Sequence, residues 1–220
     1  MKPSLKIKIC GFTRVEDALE ACALGVDLLG FNFVPGSSRY LSPYSARAIF
    51  EELPPFVDKV GIFAGEEVNV VNDLFTFLDL DAVQLHGDED REYCRKVKAP
   101  FIKAVRVGEN PRDLEGLEDF GACAYLLDAM VDGKLGGTGA VFNWDHAVDI
   151  CRRHRVFVAG GLFPGNVACA VKKLMPYGID AASGVESSPG IKDSVLMEKF
   201  VREARCASMG NGGGCRNVAC

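Results

Sequence analysis

No apolar run in this chain approaches the roughly 20 residues needed to cross a bilayer, because Asp, Lys, Glu or Gly interrupts every hydrophobic stretch. A basic block is missing too. The 25 Lys and Arg are scattered among 30 Asp and Glu, giving a formal charge of −5. That balance disfavours nucleic acid and anionic membrane surfaces as partners and leaves room for a small-molecule substrate at a local anion site. The opening stretch Met1–Ile7 has neither the apolar segment of a signal peptide nor an Arg- and Ser-rich transit character, so a cytoplasmic protein is expected. Cys-x-x-Cys pairs and His/Cys clusters are also absent. The nine cysteines stand singly at 10, 22, 94, 123, 151, 169, 206, 215 and 220. Neither a zinc site nor a redox pair is indicated, and most of the thiols are expected to be small buried hydrophobes in a reducing compartment.

What is present is material for one large core, with 48% hydrophobic residues and 14 Phe in 220. Short β-branched runs recur along the chain: Leu5–Cys10, Asp27–Phe33, Lys59–Phe63, Ala82–Leu85, Phe101–Val105, Ala124–Asp128, Val156–Ala159 and Ile179–Ala182. Between them lie stretches of helical periodicity at Val15–Leu24, Pro43–Leu53, Val68–Leu78, Asp88–Val97, Pro111–Leu117, Asn143–Arg153, Pro164–Leu174 and Asp193–Ala204. Thr13 ahead of Glu16, Ser42 before Pro43, and Pro164 supply helix start signals. Strands alternating with helices demand parallel pairing and right-handed crossovers, and eight such units close naturally into a single-domain (β/α)₈ TIM barrel. A doubly wound open sheet is the structural alternative. The barrel is expected over residues 1–206. Residues 207–220, with four glycines and few apolar side chains, read as a flexible tail.

In such a barrel chemistry belongs at the C-terminal ends of the strands. The first strand ends Lys8-Ile9-Cys10-Gly11, placing at the mouth a thiol that acts as base only when ionised. Alone, a cysteine there is more often a packing residue. The sixth strand ends Leu126-Leu127-Asp128, a carboxylate led by two leucines, which is either a loop cap or an acid kept protonated by apolar surroundings. Together the two form a proton donor and acceptor across one opening, a stronger signal than either alone.

Gly160-Gly161-Leu162 follows the seventh strand and Ser183-Gly184-Val185-Glu186 the eighth. Paired glycine turns let backbone N–H groups approach an anion, and a helix start after the eighth strand adds its dipole. Steric turns are the plainer reading, but phosphate is favoured at this position in a barrel. Gly136-Gly137-Thr138-Gly139 reads equally as a lid over substrate or as a surface turn. After the second strand, Ser38-Arg39-Tyr40 brings a guanidinium to the rim, for a carboxylate or for solvent. Gln84 and His86, two apart on the fourth strand, point to the same side, and His86 is either a site residue or a satisfied core histidine.

Read in order, Lys8-Ile9-Cys10-Gly11, Gly30-Phe31-Asn32-Phe33, Ser38-Arg39-Tyr40, Gln84-Leu85-His86-Gly87, Leu127-Asp128, Gly136-Gly137-Thr138-Gly139, Gly160-Gly161-Leu162 and Ser183-Gly184-Val185-Glu186 resemble the phosphoribosylanthranilate isomerase family of tryptophan biosynthesis. The resemblance covers almost the whole barrel. It implies an Amadori rearrangement of N-(5-phosphoribosyl)anthranilate without cofactor or metal, Asp128 as general acid and Cys10 as general base. It implies further that Arg39 meets the anthranilate carboxylate and that Gly160, Gly161, Ser183 and Gly184 hold the phosphate. Gln84, His86 and Gly137 match motif positions near substrate. Asn143 stands where the family often has Asp, and the terminal glycines are outside its pattern. The related histidine-pathway isomerase looks for Asp at both catalytic strand ends, whereas Cys10 occupies the first here. A non-catalytic sugar-phosphate-binding barrel is the alternative of another class. A monomer or a homodimer fits either reading.

Overall fold

Eight short strands, β1 (Lys6–Cys10), β2 (Leu28–Asn32), β3 (Asp58–Phe63), β4 (Ala82–Leu85), β5 (Phe101–Val107), β6 (Ala124–Ala129), β7 (Val156–Val158) and β8 (Gly178–Ala181), pair in parallel in sequence order. β8 returns to β1 through Lys6↔Gly178 and Lys8↔Asp180, so the sheet closes and no edge is left open. The structure is a computed structural model describing residues 4–107, 116–129 and 144–210. Each β-branched run forms its strand, within two residues of the expected bounds. Outside the sheet lie α1 (Val15–Ala23), α2 (Pro43–Phe50), α3 (Val68–Phe77), α4 (Arg91–Lys96), α5 (Val148–Arg153), α6 (Val167–Leu174) and α7 (Ser194–Ser208). Single 3₁₀ turns stand at Leu117–Phe120 and Trp144–Ala147.

Strand alternation divides the core in two. Leu28, Val60, Ile102, Ala104, Leu126 and Phe157 fill the lumen, whereas Leu29, Leu127 and Val158 face outward and pack with helix residues such as Ala18, Ile49 and Phe200. Phe31 meets Phe50 of α2 edge-on at 4.6 Å between ring centroids. Truncating a fully buried residue of this outer layer, Leu127→Ala for example, costs about 2–5 kcal/mol through lost burial and the cavity left behind. The lumen side of β6 therefore carries Leu126 and then Asp128, which puts the carboxylate at the barrel mouth.

The helix starts follow local hydrogen bonding. Ser42 caps α2 by accepting from the Ser45 N–H, Asp90 caps α4 through Tyr93 N–H, and Asp193 caps α7 through Leu196 N–H. Thr13 does not cap α1, contrary to the sequence expectation. Its hydroxyl donates to the Gly190 carbonyl at 2.6 Å, and Arg14 holds the cap position without a side-chain bond. A tertiary acceptor outcompetes the local one. Pro164 likewise precedes α6, which starts at Val167 after Asn166.

α7 runs to Ser208, across the boundary drawn at residue 206. Most of the short helix expected at Pro111–Leu117, the Gly136–Gly139 segment with Gly137, Asn143, and residues 211–220 fall outside the described residues. The cysteine expectation needs correction. Cys94 and Cys151 are buried thiols, Cys10, Cys22 and Cys169 are half-buried, Cys123 is exposed, and Cys206 is disulfide-bonded. β-Branched and aromatic neighbours in the sequence did not distinguish an inward-facing from an outward-facing thiol.

Candidate active site

A cavity of about 520 Å³ opens at the C-terminal ends of the strands. Cys10, Arg39, Gln84, His86, Asp128, Gly160, Gly161 and Ser183 all line it. The sequence reading thus brought residues from β1, the β2 loop, β4, β6, and the β7 and β8 loops to one place. Gly184 does not line the cavity. A Cβ built there would stand 2.0 Å from the Leu162 carbonyl oxygen, so glycine lets the β8 loop lie directly on the β7 loop.

Alternation on β1 sends Lys8 and Cys10 into the lumen together. Space for the thiol comes from Gly30 on β2, where a Cβ would meet Cys10 Cα at 3.0 Å and Sγ at 3.1 Å. Burial raises the Cys10 thiol above its ordinary 9.0. The Lys8 ammonium opposes that rise, Asp180 adds to it, and Lys192 and Arg39 also favour the thiolate. Deeper in the lumen, Lys8 Nζ donates to Asp180 Oδ1 at 3.0 Å, with both side chains buried.

Opposite Cys10, Asp128 Oδ2 lies 3.3 Å from His86 Nε2, and His86 Nδ1 lies 2.7 Å from Gln84 Nε2. The two residues do share a face of β4, as their spacing required. Gln84 Nε2 can only donate, so Nδ1 accepts and the ring proton sits on Nε2, pointing at the carboxylate. Asp180, at the equivalent end of β8, also lines the cavity and completes its acidic side.

At the opposite rim Gly160 and Gly161 adopt φ values of 75° and 68°, a left-handed pair that only glycine takes without strain. Asn166 holds the turn, donating to the Gly161 carbonyl and accepting from the Phe163 N–H at 2.9 Å each. The N–H groups of Gly160, Gly161, Ser183 and Gly184 find no acceptor among the described residues. They are free donors beside an open cavity, which suits an anion. The expected helix dipole after β8 is absent in that form. Residues Ser183–Val185 make one 3₁₀ turn, so only the individual N–H groups contribute.

Arg39 reaches the rim over Gly11, whose missing Cβ would lie 2.4 Å from Arg39 Cδ. Its guanidinium is paired with Glu186, Nη2 to Oε2 at 2.6 Å, and Glu186 is in turn bound by Lys192 at 2.8 Å. Sequence reasoning quoted Glu186 as part of a motif without a role and passed over Lys8, Asp180 and Lys192. The signals were available in part: Asp180 ends β8 as Asp128 ends β6, and Lys8 stands two before Cys10. Among the described residues no group of three or more His, Cys, Asp or Glu is arranged to hold a metal ion.

A closed (β/α)₈ barrel with an acid and a thiol in its mouth, and free N–H donors after β7 and β8, defines an acid-base enzyme acting on a small phosphorylated molecule. The family profile described as N-(5'phosphoribosyl)anthranilate (PRA) isomerase matches residues 7–203. The chain belongs to that family. It is 48% identical over 200 residues to an N-(5'-phosphoribosyl)anthranilate isomerase of a Geobacter species, covering 91% of this chain and 98% of the relative. The corresponding protein of Pelobacter propionicus is 44% identical over 201 residues, covering 91% and 96%. Among solved structures, the phosphoribosyl anthranilate isomerase of Thermotoga maritima superposes with a TM-score of 0.85 at 41% identity, covering 91% of this chain and 98% of that one. A phosphoribosyl anthranilate isomerase in complex with reduced 1-(o-carboxyphenylamino)-1-deoxyribulose 5-phosphate superposes with a TM-score of 0.82 at 40% identity over the same shares.

Proposed function

We propose that Cys10 and Asp128 divide the proton transfers of the family's reaction between them, with Arg39 on the aromatic carboxylate and the β7 and β8 loops on the phosphate. The activity itself comes with the family: an isomerase of tryptophan biosynthesis that converts N-(5-phosphoribosyl)anthranilate to 1-(2-carboxyphenylamino)-1-deoxyribulose 5-phosphate. In this reading Asp128 gives a proton to the furanose ring oxygen, the bond from that oxygen to C1′ breaks, and an open-chain Schiff base results. The Cys10 thiolate then takes the proton from C2′, leaving an enamine that tautomerises to the ketone. Redox state and atom count are unchanged overall, so the residues of the cavity suffice. The reactive form holds a thiolate and a protonated carboxyl at once, one proton shared by the pair.

The observation that carries the proposal is the shared cavity: thiol, carboxyl and free N–H donors line or border one space of about 520 Å³. Gly160, Gly161 and Ser183 supply donors from that lining, and Gly184 supplies its N–H from just behind it. Gln84 and His86 act on Asp128, and Gly137 is assigned to substrate contact from its loop. Cys10 in place of an Asp at the end of β1 argues against the two-phosphate substrate of the histidine pathway. Purified protein mixed with freshly made N-(5-phosphoribosyl)anthranilate should extinguish the anthranilate-type fluorescence. The histidine-pathway substrate, assayed in parallel, should remain unchanged. A protein that binds the substrate yet leaves the fluorescence intact would be a silent barrel instead.

The remaining assignments are part of the same proposal. Residues 1–206 make the catalytic barrel and 207–220 a flexible tail. The described residues contain no helix long and apolar enough to cross a membrane, and the net charge is −5, which suits a cytoplasmic enzyme without nucleic-acid or membrane partners. It works as a monomer or a homodimer. A solved relative from Thermotoga maritima is described as a dimeric phosphoribosylanthranilate isomerase converted to monomers.

A further inference from the structure

Arg39 does not stand free at the rim. Its Nε donates to Glu186 Oε1 at 2.9 Å and Oε2 at 3.1 Å, and its Nη2 donates to Oε2 at 2.6 Å. Glu186 therefore occupies the side edge of the guanidinium, the edge formed by Nε and Nη2. A guanidinium has a second edge, formed by Nη1 and the other hydrogen of Nη2, that accepts a carboxylate in the same bidentate way. Nη1 has no partner among the described residues, and Arg39 lines the cavity.

Glu186 is itself fixed from behind. Lys192 Nζ donates to its Oε1 at 2.8 Å, and the Gly190 N–H reaches the same oxygen at 3.3 Å. Lys192 is wholly enclosed, lies 5.3 Å from the Phe12 ring centroid, and also donates from Nζ to the Cys10 carbonyl at 2.5 Å. Its backbone N–H is held by Asp17 of α1 at 2.9 Å. The stem of Arg39 is fixed as well, since it passes over Gly11 where no side chain could fit beneath it. Head and stem are both held, so the free edge has one direction available.

The charges count in the same sense. Arg39 and Lys192 are cations and Glu186 is the one anion bonded to them, so the trio carries an excess of one positive charge. One incoming carboxylate balances it. An amide or an unsubstituted ring leaves it uncompensated in a largely enclosed site, which costs free energy.

We propose that Glu186, backed by Lys192, is a positioning residue that turns the end edge of Arg39 into the cavity and thereby makes the site specific for a ligand with a single planar carboxylate. The proposal rests on the reading that Arg39 meets the aromatic carboxylate of the substrate. Orientation carries the specificity; the excess charge alone does not.

The test uses two ligands, reduced 1-(o-carboxyphenylamino)-1-deoxyribulose 5-phosphate and its phenylamino counterpart without the carboxyl, with affinities measured by titration calorimetry. Arg39→Ala should weaken the carboxylate ligand by about 10- to 100-fold, the range for a charged hydrogen-bond pair, and leave the other ligand within about twofold. Glu186→Gln should weaken the carboxylate ligand about 10-fold and again spare its counterpart. Electrostatics without orientation gives the opposite sign, because this variant raises the local positive charge. If Glu186→Gln tightened the carboxylate ligand, left it unchanged, or weakened both ligands equally, Glu186 would not be positioning Arg39. If Arg39→Ala weakened both equally, the carboxylate reading would be wrong and the proposal would fall with it. Should Glu186→Gln not fold, Arg39→Lys decides the matter, since lysine keeps the charge and has no edge to orient. The preference for the carboxylate ligand should then vanish, and its survival would overturn the proposal.

Discussion

His86 points its Nε2 at Asp128 Oδ2 across 3.3 Å, while its other ring nitrogen lies 2.7 Å from the Gln84 amide nitrogen. The amide donor fixes the ring proton on the side of the carboxylate. A donor there stabilises the charged form of Asp128, the form left behind when the ring oxygen of the substrate takes its proton. The contribution is thus made late, as charge develops on the carboxylate.

His86→Ala should accordingly lower kcat by about 10- to 100-fold, the worth of one hydrogen bond to a charged group, with KM little changed. Gln84→Leu should cost less, because the ring keeps its place and loses only the partner that selects its tautomer. Steady-state kinetics on both variants decide the point. A His86→Ala enzyme altered in KM alone would mean that the ring contacts substrate and does not serve Asp128.

Cys10→Ala and Asp128→Ala remove the base and the acid, and each should lower kcat by about 10²–10⁴. Affinity for the reduced product analogue should survive, since the N–H donors of the β7 and β8 loops and Arg39 are untouched. Either variant turning over at a near-normal rate would cancel the role given to that residue.

Burial and the neighbouring Asp180 carboxylate push the Cys10 thiol up, against the pull of Lys8, Lys192 and Arg39. The alkaline limb of the kcat/KM profile should therefore stand above the ordinary thiol value of 9.0. Asp180→Asn keeps an oxygen for Lys8 and removes a negative charge that opposes the thiolate. The thiol pKa must fall, and the limb should move to lower pH. The limb position reports this shift whatever happens to the rate, so an unmoved or raised limb would show that it belongs to another group.

Below the β4 loop, the enclosed Lys103 Nζ donates at 2.7 Å each to Glu89 Oε2 and the Gly87 carbonyl. Burial raises the Glu89 carboxyl, but the Lys103 ammonium and the Gly65 N–H outweigh it and hold the carboxyl below its ordinary 4.5. A depressed carboxyl contributes stability above its unfolded pKa and loses it as pH falls through the folded one. Lys103→Met removes the opposing cation and leaves a buried carboxylate, which should cost about 3–5 kcal/mol near neutrality. Burial then dominates and raises the carboxyl, so acid now relieves the cost by protonating it. Urea unfolding at neutral and acid pH should show the gap from the native protein narrowing as pH falls. A constant gap would mean that packing, not charge, sets the cost.

The barrel was legible because each strand is announced by its own β-branched residues, and parallel closure follows from the alternation of elements. Cys10 and Asp128 were legible for a related reason: a reactive side chain at the end of an apolar run stands out, and barrel geometry gives such ends a common meeting place. Partnerships across the sequence were not legible. Glu186 meets Arg39 and Lys8 meets Asp180 only after the chain closes, and no periodicity encodes which carboxylate finds which cation. Thr13 failed as a cap on the same ground, since its acceptor, Gly190, arrives from the far end of the chain. The dipole expected after β8 was lost because the Ser183–Val185 segment turns once and passes directly into the strand pair Glu186–Ser188 and Ile191–Lys192.

Gly30 tests how closely the thiol is placed. It lies in β2 without a positive φ, so alanine is acceptable to the backbone there, and the only objection is space. A Cβ would stand 3.1 Å from both Cys10 Sγ and Ile62 Cδ1, so the thiol or the isoleucine must give way by a few tenths of an ångström. Small displacements of a reacting group cost rate far more than stability, so Gly30→Ala should lower kcat by about 10- to 100-fold while the protein still unfolds cooperatively. Loss through the thiol can be separated from general damage with a double variant. If Gly30 acts only by making room for Cys10, adding Gly30→Ala to Cys10→Ala should cost almost nothing further, because the group it displaces is already gone. Additive losses in the double variant would place the effect of Gly30 elsewhere in the cavity.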